Sequence, residues 1–298
     1  MAYSYSVKNL KQVNKYIYSN TGILLSQVVH LNNIKHAWNN YHGKHAFILR
    51  TIPRSGSHYF MNILANYIGF QFFNEKNSLD LLDIKEKFWS GLNPCHNYYD
   101  SEKMFRLTGF KNFIFVHVSH DHRFKHFNYY KKNVRGLVNL YRNPLDAIVS
   151  SYFRVLNHRN ISTMNKKNRK NFINMKVEDY IKQYTSINEM REKKNVINIS
   201  YENLYLNPLD IMNEVLNFFK IPLSEKNLNK SIQQSNINYI KEKEKNFNNR
   251  SFYNSKVSSH IHSGKINQWK KFFSSDEIKR IETRFNKSGI SFNEFIFE

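Results

Sequence analysis

Apolar positions along the chain fall into short unbroken runs alternating with stripes of helical period. Residues 46–70 read AFILRTIPRSGSHYFMNILANYIGF. Ala46-Phe47-Ile48-Leu49 is an apolar run of the kind a buried strand needs. The pattern breaks at Pro53 and Gly56, then resumes at Phe60, Ile63, Leu64, Tyr67 and Ile68, which share one helix face. Gly69 reads as the C-terminal stop of that helix. The stretch predicts a strand, a tight loop and a helix.

The same alternation recurs. Residues 113–118 (FIFVHV) predict a second strand, which leads into Ser119-His120-Asp121-His122. Residues 136–141 (GLVNLY) predict a third, running straight into Arg142-Asn143-Pro144-Leu145-Asp146. Asn143 suits an N-cap and Pro144 a first helical position. The helix they open carries Leu145, Ile148, Val149, Tyr152, Phe153 and Leu156 on one face. Residues 157–176 are charged and rich in Asn, and read as a mobile loop or flap before a helix marked by Tyr180, Ile181, Tyr184 and Ile187. Val196-Ile197-Asn198-Ile199 predicts a fourth strand. Asn207-Pro208 opens a further helix through Leu209, Met212, Val215, Leu216 and Phe219, and Ser274-Ser275-Asp276-Glu277 forms a capping box before Ile278, Ile281 and Phe285. Residues 71–111 read as loop with short helices. Residues 1–45, with a weak helical pattern at Val7, Leu10, Val13 and Ile17, read as a peripheral N-terminal segment before a single domain over 46–298. Strands alternating with amphipathic helices predict an α/β fold, a three-layer α/β/α arrangement around a mostly parallel sheet.

Composition changes this picture in two ways. The single cysteine, Cys95, excludes an internal disulfide framework. With no apolar run long enough to span a bilayer and no signal-peptide core at the start, the expected location is cytoplasmic. Charge adds more: 45 Lys+Arg against 23 Asp+Glu give a net +22. That balance suits an anionic substrate, nucleic acid or an anionic surface, and AT-rich coding would also produce a chain crowded with Asn, Lys and Ile.

In open parallel sheets, ligands sit beyond the carboxyl ends of the strands. Three chemically interesting segments fall there: residues 54–57, 119–122 and 142–150. Backbone N–H groups and the positive end of the helix dipole converge at Arg54-Ser55-Gly56-Ser57, and Arg54 adds a fork of donors suited to phosphate or sulfate. A nucleoside triphosphatase would carry GxxxxGK[ST] there. This loop lacks both the lysine and the first glycine, which disfavours ATP hydrolysis.

Thr51-Ile52-Pro53-Arg54-Ser55-Gly56-Ser57-His58-Tyr59 resembles the 5′-phosphosulfate loop of the sulfotransferases that use 3′-phosphoadenosine 5′-phosphosulfate (PAPS). Residues 142–150 (RNPLDAIVS) resemble that family's 3′-phosphate segment, an arginine and a serine eight positions apart. Tyr201-Glu202-Asn203-Leu204 is similar to its tyrosine-acid-x-leucine segment. Gly264-Lys265-Ile266-Asn267-Gln268-Trp269-Lys270 is similar to its C-terminal loop that closes over the cofactor. The four segments occur in family order.

The resemblance implies a P-loop-NTPase-like sulfotransferase fold, PAPS as co-substrate and no metal. It implies that Arg54 holds the 5′-phosphosulfate and stabilises the leaving oxygen, with Ser55, Gly56, Ser57 and His58 donating to the same group. Arg142 and Ser150 would bind the 3′-phosphate. Tyr59 and Tyr201 would lie near the adenine, with Ser263, Gly264 and Lys265 closing the cofactor site. His120 is the implied general base, with His122 and His117 as alternatives; a neutral-pH base is what a hydroxyl attacking sulfur needs.

Two positions depart from the family: Val118 stands where a lysine is frequent, and His262-Ser263 where an arginine and a lysine usually precede the glycine. The expected reaction is in-line sulfuryl transfer to an acceptor hydroxyl of a glycan, lipid or small metabolite, an anionic acceptor suiting the basic segments 123–135 and 157–176. No nucleic-acid partner is expected. A basic nucleic-acid binder and a divergent nucleotide kinase are the alternatives.

Overall fold

The computed structural model of the chain describes residues 46–72, 114–119, 134–193, 195–239 and 263–295. Four parallel strands form one sheet: β1 (Ala46–Thr51), β2 (Ile114–Ser119), β3 (Val134–Tyr141) and β4 (Val196–Ser200). Their order is β2-β1-β3-β4, so the chain steps to one side of β1 and then crosses to the other. That reversal places the switch point at the carboxyl ends of β1 and β3, where a crevice opens.

Helices cover both faces. On one face lie α1 (Ser57–Phe72), α5 (Pro208–Phe218) and α6 (Glu225–Gln233), packed on Leu49, Val138, Leu140, Ile197 and Ile199. On the other lie α2 (Pro144–Arg159), α3 (Lys166–Asn188) and α7 (Ser275–Lys287). The short α4 (Tyr201–Leu206) follows β4 without a loop, capped by the Ser200 side chain. Strand alternation explains the division: Leu49 and Val138 face the first layer, while Arg50 and Asn139 face the second. There Arg50 Nη1 donates to the Ser186 carbonyl at 3.2 Å and Asn139 Nδ2 to Asn198 Oδ1 at 2.9 Å.

The three-layer α/β/α architecture read from the sequence is the one observed, and several helix starts match in detail. Asn143 accepts the Leu145 N–H with Pro144 behind it, and Ser274 and Glu277 complete the capping box. Two expectations are corrected. Gly69 does not end α1, which runs on to Phe72 without a left-handed residue; Ile68 and Phe70 are both buried, and that packing outweighs the glycine's propensity.

The flap over residues 157–176 is largely helix. Asn160 closes α2 in the left-handed conformation, and Asn165 caps α3 by accepting the Asn168 N–H. Phe172, Ile173 and Val177 extend the stripe of Tyr180, Tyr184 and Ile187 by just over two turns. The lysines and asparagines hide that stripe because they occupy its solvent side. The segments 1–45, 73–111 and 120–133 lie outside the described residues, and with them the expectations of a peripheral N-terminus and a loop-rich insertion. Among the described residues no helix is long and apolar enough to cross a membrane.

Candidate active site

The crevice is built from three connections. After β1, Ile52 keeps its bond to the sheet by donating to the Leu140 carbonyl at 3.2 Å. The chain then turns sharply, and both the N–H and the hydroxyl of Ser55 donate back to the Ile52 carbonyl, at 3.3 and 2.9 Å. Arg54 and Gly56 are left-handed, at φ 66° and 81°. Gly56 is required twice over: besides its φ, a Cβ there would lie 2.1 Å from the Tyr201 ring. The helix α1 then begins at Ser57 with no acidic residue in its first turn, so its positive end faces the crevice without a carboxylate of its own.

The side chains expected from sequence meet here. Arg54 Nε donates to Ser150 Oγ at 3.0 Å, joining the loop after β1 to α2. Arg142, 3% exposed, sends Nη1 to the Arg54 carbonyl at 3.2 Å and Nη2 to the Lys265 carbonyl at 2.7 Å. Its guanidinium also lies over the Tyr201 ring, 4.6 Å from the centroid. The Tyr201 hydroxyl donates to the Gly264 carbonyl, and the Lys265 N–H donates to Ser263 Oγ at 3.2 Å. Residues 54–57, Arg142, Ser150, Tyr201 and residues 263–265 therefore form one connected cluster, with His58 and Tyr59 on the first turn of α1. Burial, and then Tyr205, push the Tyr59 phenol up to about 12, and Tyr205 also lies 6.0 Å from the Tyr201 ring. His120 and His122 lie outside the described residues. β2 ends at Ser119, which pairs with Thr51 at the end of β1.

Five residues around this cluster were not assigned a role from sequence. Tyr180 and Tyr184, one helical turn apart on α3, form its floor. The Tyr180 hydroxyl lies 3.0 Å from the Pro53 carbonyl and 3.1 Å from Ser151 Oγ, and Tyr184 donates to the Arg142 carbonyl. Their spacing reads only as a helix stripe, because nothing in sequence marks a buried phenol as a donor. Asp146 accepts the Asn267 and Trp269 N–H groups at 2.7 and 3.1 Å. Burial raises its carboxyl above the ordinary range, with Arg142 and the loop N–H groups pulling the other way. Glu202 accepts the Asn143 N–H at 3.0 Å, and burial pushes it up to about 7 against the pull of Arg142. Tyr205 sits four positions after Tyr201. Asp146 and Glu202 stand inside recognised segments, but only the fold shows what their carboxylates hold. No group of three or more metal-ligating side chains occurs among the described residues.

A left-handed loop between a central parallel strand and a helix N-terminus, walled by two arginines, defines a P-loop-like class of anion-handling α/β proteins. Residues 44–289 match the model of the sulfotransferase domain family, and the chain belongs to that family, whose reaction is sulfuryl transfer. Among solved structures it is similar to mouse sulfotransferase SULT7A1 complexed with PAP, at 14% identity and a TM-score of 0.58, over 82% of this chain and 84% of that one. It is also similar to a retinol dehydratase in a complex with retinol and PAP, at 16% identity and a TM-score of 0.56, over 82% of this chain and 80% of that one. At these identities the likeness is one of fold. The curated proteins contain no match.

Proposed function

We propose that the chain transfers the sulfuryl group of PAPS directly to an acceptor hydroxyl, with His120 as the general base. The observation that carries this reading is the convergence of Arg54, Ser150, Arg142, Tyr201 and the 263–265 loop at the carboxyl ends of β1 and β3. The PAP found in the two similar structures supports the nucleotide.

The donor set suits such a ligand. Arg54 and the start of α1 offer positive charge and N–H groups to a 5′-phosphosulfate. Arg142 commits one N–H of each Nη to a carbonyl and keeps Nε toward Glu202, which leaves the second N–H of each Nη for a 3′-phosphate beside Ser150. Tyr59, Tyr201 and Tyr205 supply aromatic surface for an adenine. In the transfer, the acceptor oxygen forms a bond to sulfur as the bond from sulfur to the bridging phosphate oxygen breaks, and His120 accepts the hydroxyl proton. Arg54 stabilises the charge that develops on the departing oxygen; a lost donor of this kind costs about 3–4 kcal/mol of barrier stabilisation. The net charge of +22 favours an anionic acceptor.

Thermal-shift titration with PAP tests the reading. The wild type is expected to gain stability with rising PAP, and Arg54→Ala and Arg142→Ala to lose most of that gain. No gain in the wild type contradicts the assignment. His120→Ala is expected to keep PAP binding and lose about 10²–10⁴ in turnover; unchanged turnover would move the base elsewhere.

A further inference from the structure

We infer that Asp146 is a positioning residue that fixes the segment 263–271 as the roof of the site before any nucleotide arrives. The inference rests on the reading of that segment as the loop that closes over the cofactor.

Asp146 is fully buried, and both of its carboxylate oxygens serve a segment more than a hundred positions downstream in the chain. Oδ2 accepts the Asn267 N–H at 2.7 Å and Oδ1 the Trp269 N–H at 3.1 Å. Asn267 is left-handed, at φ 60°, and that conformation turns neighbouring N–H groups toward one point, forming a concavity for an anion. The anion held there is the protein's own. Asp146 also sits in the first turn of α2, where the helix dipole favours negative charge, with Arg142 Nη2 3.9 Å from Oδ2.

The same Arg142 nitrogen grips the Lys265 carbonyl, and Tyr201 the Gly264 carbonyl. The roof is thus tied on one arm by a cation through carbonyls and on the other by an anion through N–H groups. A buried carboxylate is costly unless its oxygens are satisfied. A helix start needs only a capping residue, which Asn143 already supplies. What requires a carboxylate at position 146 is the downstream loop.

Hydrogen exchange on the full, nucleotide-free chain, paired with PAP titration, tests this. Asp146→Asn preserves shape and one acceptor oxygen, whereas Asp146→Ala removes both. The amides of residues 267 and 269 are expected to exchange at least about tenfold faster in the Asn variant and faster still in the Ala variant, with β1 and β3 amides unchanged. PAP affinity should fall only as far as the docked fraction of the roof falls, and so most in whichever variant leaves the amides of 267 and 269 without protection.

A purely structural role would instead lower global stability without this split between roof and sheet. Unchanged exchange at 267 and 269 in Asp146→Asn, or full loss of their protection in either variant with unchanged PAP affinity, overturns the inference. Should Asp146→Ala loosen the sheet as well, the Asn variant decides. A wild type that fails to bind PAP overturns the proposed function instead, and exchange alone then judges the anchor.

Discussion

Glu202 is 2% exposed, with Oε1 on the Asn143 N–H and the Arg142 Nε 3.9 Å away. Loss of hydration outweighs these partners, so its carboxyl titrates near 7 in the fold against 4.5 ordinarily. A raised acid binds its proton more tightly in the folded than in the unfolded state. Its favourable contribution is therefore full below pH 4.5 and is lost as pH rises through 7. Stability should fall by about 3 kcal/mol across that window on this account. Glu202→Gln should flatten the fall, as read from urea midpoints at several pH values; an unchanged pH profile would exclude Glu202 as its source. Arg54 was legible in sequence because loop chemistry marks it, and Arg142 and Ser150 because their segment resembles one of the family's. Asp146 and Glu202 were not, because a carboxylate's role depends on which distant N–H groups the fold brings to it.

At the scale of elements, α3 organises the site from beneath. Tyr180 and Tyr184 reach the carbonyls of Pro53 and Arg142, the residues at which the chain turns out of β1 and β3. Burial raises both phenols, Tyr180 to about 12, so both are neutral and able to donate. Tyr184→Phe leaves the Arg142 carbonyl buried without its donor and should cost about 1–3 kcal/mol in chemical denaturation. A neutral substitution would mean that the bond contributes nothing to holding the end of β3. The strands and the starts of α2 and α7 could be read from periodicity and caps. The first turns of α3 could not: the basic, Asn-rich solvent side masks Phe172, Ile173 and Val177, and the helix is defined by what that buried stripe packs against.

For the whole molecule, two apolar layers about a parallel sheet carry the fold, and ion pairs finish its edges. Arg169–Glu277, Arg284–Glu178 and Arg191–Glu294 tie α3 and its trailing turn to α7 and the C-terminal turn. All are partly exposed, so each is worth at most about 1 kcal/mol. The net +22 acts over longer range, drawing anions toward the protein without choosing among them. Under the proposed function, selection falls to the crevice, with one anion position assigned to Arg54 and the start of α1 and a second to Arg142 and Ser150. Calorimetric titration of the wild type with PAP and with adenosine 5′-phosphate separates these two levels. PAP, bearing the extra 3′-phosphate, should bind at least about tenfold tighter, and Arg142→Ala should bring the two nucleotides close together. Equal affinity in the wild type, or an advantage for PAP that survives Arg142→Ala, would contradict a crevice built to read both ends of the nucleotide.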